Sequence, residues 1–231
     1  MHVMTGTSGF SYTAWRGTFY PDKHPEAKML AFYAGKLGAV EINNTFYRMP
    51  NPSLLERWAA ETPASFRFAL KSPRQITHMK KLIDVGDAVA RLAETARTLG
   101  DRLGPILFQL PPFLRKDLGV LEAFLATVPP GLRVAVEFRH ESWLSADVYA
   151  VLMRHDAALC CADSEDFATP LEATAGWGYL RLRRQDYDQA ALRIWADRLK
   201  KQAYEEAYVF FKHEDEGAGP ALADSFKSMM I

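Results

Sequence analysis

Three carboxylates, Glu41, Glu137 and Asp163, each lie at or beside the end of a short apolar run, and Lys71, Arg139 and Arg181 occupy comparable places. Carboxylates of this kind serve as general acids or bases when their surroundings tune them. Lysine and arginine beside them can hold an anion and stabilise developing charge. Thr7, Asn43 and Gln109 add polar groups at the ends of three such runs, and His78 and His140 follow two of them. This set points to a site for a small phosphorylated or carboxylated compound, sugar-like in polarity. Glu137 or Glu41 would be the base, Asp163 a second acid/base, and Lys71, Arg139 and Arg181 the anion holders. The same charges can instead neutralise one another, because a buried charge left unpaired is costly.

Other motifs are less specific. Gly6-Thr7-Ser8-Gly9 either presents backbone N–H groups to an anion or is a plain strand-to-loop turn; it lacks the spacing of a P-loop or dinucleotide fingerprint. No organic cofactor signature is present. His78, His140 and His213, with Glu137 and Asp163, offer N/O ligands for a divalent metal, but no HxH or HExxH spacing supports one, so no metal ligand is assigned. The rings of Phe10, Tyr12, Trp15, Phe19 and Tyr20 form either a lid that stacks on a sugar or base, or a loop packed over the scaffold, and Trp143 after His140 has the same two readings. Cys160 and Cys161 are adjacent and point to opposite faces of a strand, which argues against a bridge between them.

The elements that must position these groups are legible as alternating patterns. Strands are expected at Val3–Thr7, Ala39–Ile42, Phe66–Lys71, Ile106–Leu110, Val134–Phe138, Ala158–Ala162, Gly178–Leu182 and Tyr208–Phe211. Amphipathic helices are expected at Ala27–Lys36, Ser53–Glu61, Asp84–Leu99, Leu118–Thr127, Ala146–His155 and Asp188–Gln202, with a capping box at Ser53 and Glu56 and a helical stripe of Leu192, Trp195 and Leu199. The sixth crossover, Asp163 to Trp177, is short and holds Thr169-Pro170, so it reads as a loop. Alternation of this kind predicts parallel strands. Eight of them favour an α/β fold of the irregular eight-stranded β/α (TIM-like) barrel type, in a single domain spanning residues 1–231, with ligands expected beyond the carboxyl ends of the strands.

The bulk properties agree. A barrel commonly uses about 250 residues, and this chain has 231, of which 48% are hydrophobic and 24% charged. The formal charge is zero, so no global field steers the protein to nucleic acid or anionic lipid. No basic segment followed by an apolar run opens the chain, and no window approaches a membrane span, so a cytoplasmic protein without a membrane partner is expected.

Several segments resemble the YecE-like family, the domain of unknown function 72: Gly6 to Tyr12, Trp15-Arg16-Gly17, Phe19-Tyr20-Pro21 and Val40 to Arg48, then Phe66-Arg67-Phe68 with Lys71, Ile76-Thr77-His78, Leu107 to Pro112, Glu137 to His140 with Ser142-Trp143, and Ala162-Asp163-Ser164. The resemblance implies a β/α barrel and no particular reaction. A likeness of shape to apurinic-endonuclease-like barrels implies nucleic acid as an alternative ligand, by fold analogy alone. A hydrolase, an isomerase and a non-catalytic binding protein all stay open. The chain departs from the family pattern where Arg181-Leu182-Arg183-Arg184 replaces Arg-Leu-His-Gly and Lys212-His213 replaces an Asn pair. Losing a histidine while gaining cations weakens a metal reading at the seventh strand and strengthens an anionic one.

Overall fold

The computed structural model describes residues 1–212 and 216–230; His213 therefore lies outside the described residues. Eight parallel strands close into a barrel in sequence order: β1 (His2–Ser8), β2 (Ala39–Ile42), β3 (Arg67–Lys71), β4 (Leu103–Gln109), β5 (Val134–Glu137), β6 (Ala158–Asp163), β7 (Trp177–Leu182) and β8 (Glu206–Phe211). Between them run α1 (Met29–Ala34), α2 (Pro52–Ala60), α3 (Gly86–Ala96), α4 (Leu118–Ala126), α5 (Ala146–Arg154) and α6 (Gln189–Lys200), and α7 (Ala218–Met229) follows β8. No helix separates β6 from β7, as the Thr169-Pro170 segment predicts. Instead Thr169 Oγ1 accepts from the Ala162 N–H at 2.6 Å and donates to the Cys160 carbonyl at 2.9 Å, so a side chain serves backbone groups of β6.

One expectation about helices needs correction. The cap of α2 is Asn51, whose Oδ1 accepts from Ser53 N at 3.0 Å with Pro52 at the first helical position, rather than a box built on Ser53 and Glu56. Helix α7 has no counterpart among the expected helices, and it contains Gly219-Pro220. Both fall in its first turn, where a missing N–H costs nothing. Its Ala223, Phe226 and Met229 are buried as it packs on β1 and β8. The Leu192, Trp195, Leu199 stripe of α6 is buried as expected.

Strand alternation divides the core in two. Outward residues meet the helices, while the lumen holds a separate cluster. Trp177, Tyr179, Tyr208 and Phe210 from β7 and β8 fill the lumen, and the other strands offer Ala39, Ala69, Ala135 and Ala158. Large rings from two strands and methyl groups from others fill an eight-stranded interior without a pore. Cys160 belongs to the lumen and Cys161 to the outer layer, both as free thiols. The aromatic run after β1 is packed inward: Trp15 and Tyr20 are buried, and Phe19 meets Phe32 and Tyr33 of α1 edge-on.

A tyrosine hydroxyl joins β1 to β2. Tyr33 OH accepts from Thr7 N at 2.8 Å and stands 2.8 Å from Thr7 Oγ1, and it donates to the Ala39 carbonyl at 3.0 Å. Burial pushes its phenol well above the ordinary value. Tyr33→Phe would leave a buried N–H and carbonyl unserved, at a cost of about 1–3 kcal/mol. The expected result is a lower urea midpoint with an unchanged denaturant slope; a midpoint equal to wild type would show that the hydroxyl is dispensable.

Candidate functional site

The inward positions at the carboxyl end of the barrel are polar on six strands: Ser8, Glu41, Lys71, Gln109, Glu137 and Arg181. Each follows by two residues, or heads, a lumen-facing series such as Ala39–Glu41, Ala69–Lys71, Leu107–Gln109, Ala135–Glu137 and Tyr179–Arg181. Arg181 is the centre. It is 2% exposed and donates from Nη2 to Glu41 Oε1 at 2.8 Å and from Nη1 to Glu137 Oε2 at 2.5 Å. Glu41 also accepts from Ser8 Oγ at 2.8 Å, Tyr179 OH at 2.7 Å and Asn43 Nδ2 at 3.3 Å. Glu137 accepts from Gln109 Nε2 at 2.8 Å and Arg139 Nε at 2.9 Å. Among the buried side-chain atoms of the described residues in this network, Arg181 Nε alone lacks a hydrogen-bond partner.

The electrostatics follow from this wiring. Burial pushes the Glu137 carboxyl up, but Arg181, Arg139 and Arg183 together outweigh it and hold it down at about 2. Burial acts likewise on Glu41, where Arg181, Tyr179 and Ser8 prevail and leave it below the ordinary range. Arg181 is held charged by its two carboxylates despite burial. Lys71 goes the other way. Burial first and Arg181 second lower its ammonium to about 8, against the partial opposition of Glu41 and Glu137. Its Nζ lies 4.2 Å above the Phe46 ring and has no ion pair among the described residues.

Above this floor opens a cleft of about 290 Å³ lined by Tyr12, Asn43, Asn44, Phe46, Tyr47, Lys71, Gln109, Arg139, Arg181, Arg183 and Lys212. Five of these are cations, and among the described residues none of the lining groups is a carboxylate. His78 sits at the same rim. Its ring meets Phe46 edge-on at 4.9 Å, Nδ1 lies 2.9 Å from Thr77 Oγ1, and burial together with Lys71 and Arg139 lowers its basicity. The loop carrying it contains a π-turn, closed by Lys80 N to Gln75 O at 3.0 Å, followed by left-handed Lys81, Leu82 and Asp84. Strained segments of this type cluster at functional sites.

The structure thus brings together Glu41, Glu137, Asn43, Lys71, Gln109, Arg139, Arg181, Tyr12 and His78. It does not bring in four others. Asp163 is level with the outward Leu182 while Ala162 faces Arg181, so its carboxylate turns outward and accepts from Tyr187 OH at 2.6 Å. Thr7 is paired with outward Val40 and engaged by Tyr33. His140 Nδ1 caps a short 3₁₀ turn by accepting from Ser142 N at 3.1 Å. Trp143 is buried, stacked on Phe138 at 4.7 Å, with Nε1 donating to Leu114 O at 2.7 Å. Tyr179 and Phe46 are additions. Tyr179 lies two residues before Arg181 and so shares its face; nothing local marks Phe46. Among the described residues, no three His, Cys, Asp or Glu stand together to hold a metal ion, and no helix is long and apolar enough to cross a membrane.

Arg181→Met would leave two carboxylates buried without their shared cation, and an expected loss of about 3–5 kcal/mol follows. Adding Glu41→Gln and Glu137→Gln should recover part of it in the same urea titration. The unfolded chain binds more protons than the folded one below the ordinary glutamate value, since Glu137 stays ionised down to about 2. The stability this provides is therefore complete above about 4.5 and is lost as pH falls toward 2. Thermal melts through that window should show a steep decline that Glu137→Gln flattens; identical profiles would contradict the assignment.

The model of the family described as "Protein of unknown function DUF72" matches residues 4–231. The chain is similar to the UPF0759 protein YecE of Escherichia coli K12, at 33% identity over 114 residues that make up 49% of this chain and 42% of YecE. It is 28% identical over 148 residues to the UPF0759 protein YunF of Bacillus subtilis 168, covering 59% of this chain and 52% of YunF. The matches thus span about half the length of these curated relatives. A DUF72 family protein of Thermotoga maritima superposes with a TM-score of 0.85 at 25% identity, over 100% of this chain and 99% of that one. One from Enterococcus faecalis, at 17% identity, shares the fold with a TM-score of 0.80 over 99% and 95% of the two chains. With a family match running from the first strand to the last helix, the chain belongs to the DUF72 family.

Proposed function

We propose that the carboxyl-end mouth of the barrel binds a small anionic compound, phosphorylated or carboxylated and rich in hydroxyl groups. One observation carries this reading: the cleft is lined by Lys71, Arg139, Arg181 and Arg183, whereas among the described residues the two carboxylates of the buried network are already taken by Arg181 and Arg139. Positive charge beyond what the protein neutralises locally favours an anion, and guanidinium groups match phosphate and carboxylate in geometry. Arg183 supports the same view. Burial and the neighbouring Arg181 make its charge costly, a cost that an arriving anion would offset. Asn43, Asn44 and Gln109 supply hydrogen-bonding groups around these cations.

Glu41 and Glu137 fit a positioning part better than that of general base. Glu137, held near 2 and surrounded by four donors or cations, has little affinity for a substrate proton, and Glu41 is held below the ordinary range by Arg181, Tyr179 and Ser8 despite burial. Lys71, lowered to about 8 by burial and by Arg181, is better tuned for proton transfer near neutral pH. Nucleic acid remains the second reading, carried by the same cations, but the rings on which bases would stack are spent on the core at Trp15 and Tyr20.

Isothermal titration with glycerol 3-phosphate should show one binding site. Arg183→Ala and Lys71→Met should each weaken binding about tenfold, as the loss of one charge-assisted contact of about 1.4 kcal/mol requires. Absence of wild-type binding to glycerol 3-phosphate, inorganic phosphate and citrate alike would remove the proposal. Retention of short single-stranded DNA with a steep salt slope, without binding of these compounds, would move it to the second reading.

A further inference from the structure

We propose that Lys71 is a covalent site: its amine condenses with the carbonyl group of an anionic aldehyde or ketone, such as a sugar phosphate or a 2-oxo acid, to form an imine at the barrel mouth. The proposal rests on the anion-binding reading above and adds the substrate class that this particular pocket would select. It stands first on geometry. Lys71 ends β3 on the lumen side, lines the cleft, and lies against Phe46 rather than against a carboxylate. Glu41 on the adjacent β2 and Glu137 on β5 belong to the same lumen-facing layer, yet both are committed to Arg181, Glu137 to Arg139 as well, and neither forms an ion pair with Lys71. An amine tied into a salt bridge is a poor nucleophile; one surrounded by other cations and an aromatic face is a good one.

The charged and titratable groups acting on Lys71 are Arg181 from β7, Glu41 from β2, Glu137 from β5, Arg139 just beyond β5, and His78 beyond β3. Their net effect, with burial, places the amine at about 8, so an appreciable fraction is unprotonated near neutral pH. Guanidinium groups surround the same cleft at Arg139, Arg181 and Arg183. They would hold the acid group of a bound compound while its carbonyl carbon meets Nζ.

The chemistry balances without any co-reactant. The Nζ lone pair forms a bond to the carbonyl carbon, and the carbonyl oxygen takes up a proton to give a carbinolamine. That oxygen then departs as water with the two hydrogens originally on the amine, leaving a carbon–nitrogen double bond. Protonated, the imine keeps the positive charge that Lys71 carried, and the face of Phe46 at 4.2 Å from Nζ stabilises it. His78, which meets the same Phe46 ring edge-on from within the π-turn segment, would move the proton.

The test is reductive trapping. Full-length protein is incubated with dihydroxyacetone phosphate, reduced with sodium borohydride, digested and mapped by mass spectrometry. The expected result is a single adduct, equal in mass to the ligand less one oxygen, on the peptide containing Lys71. It should be absent from Lys71→Arg, and its rate should rise with pH to a plateau above about 8. Uncharged dihydroxyacetone should label about tenfold more slowly, because the cationic cleft concentrates only the anion. Trapping spread over surface lysines, or undiminished in Lys71→Arg, would overturn the proposal. So would no trapping at all while glycerol 3-phosphate still binds by calorimetry, and in that case the anion site itself would stand. If glycerol 3-phosphate fails to bind, the anion reading falls, and Lys71-specific trapping at equal rates with both ketones would then leave a reactive amine without an anion site.

Discussion

The buried guanidinium of Arg181 holds the carboxyl end of this barrel together. It reaches Glu41 on β2 and Glu137 on β5 from its own strand β7, and so ties three separated staves across the lumen. A charge this deep is tolerated only because both Nη groups have carboxylate partners, and each carboxylate in turn satisfies its remaining lone pairs with Ser8, Tyr179, Asn43, Gln109 or Arg139. Such a network has few alternative geometries. It therefore fixes the floor of the cleft to within the precision of hydrogen bonds.

The character of the mouth follows from that arrangement. Arg181 claims both carboxylates and Arg139 shares Glu137, so among the described residues Lys71 forms no ion pair with either. Lys71 is left to burial and to the repulsion of Arg181, which act in the same direction on its proton. A single ion triad thus does two things: it depresses two acids until they no longer take protons readily, and it leaves an amine poised near neutrality. Beneath it, Trp177, Tyr179, Tyr208 and Phe210 exclude solvent from the lumen, which keeps the local dielectric low and these effects large.

Much of the scaffold was legible before any coordinates. All eight strands fall within a few residues of the positions expected from apolar, β-branched runs, since parallel strands buried on both faces leave that signature. Helix α7 has no counterpart among the expected helices, and the α2 cap is Asn51 rather than Ser53, with Pro52 and Pro220 at first-turn positions that demand no N–H. The candidate site was half legible. Glu41, Lys71, Gln109, Glu137 and Arg181 share one lumen-facing layer, but Asp163, Thr7, His140 and Trp143 lie at similar chain positions and turn away from it. Alternation has a period of two, so an offset of one residue at the strand end decides between lumen and helix layer. Apolar runs buried on both sides give no clue to that parity.

The sequence by itself determined the alternation, the number of strands, and hence the barrel and the end of it to which polar residues are delivered. Those depend on local spacing and on burial, which a chain carries with it. Tertiary structure alone decided which carboxylate meets which cation, that Tyr179 completes the network, and that Phe46 rather than an acid lies against Lys71. These are contacts between residues as much as 140 positions apart. Their energies depend on distances of a few ångströms and on the burial that closure of the barrel creates, neither of which exists until the last strand has paired with the first.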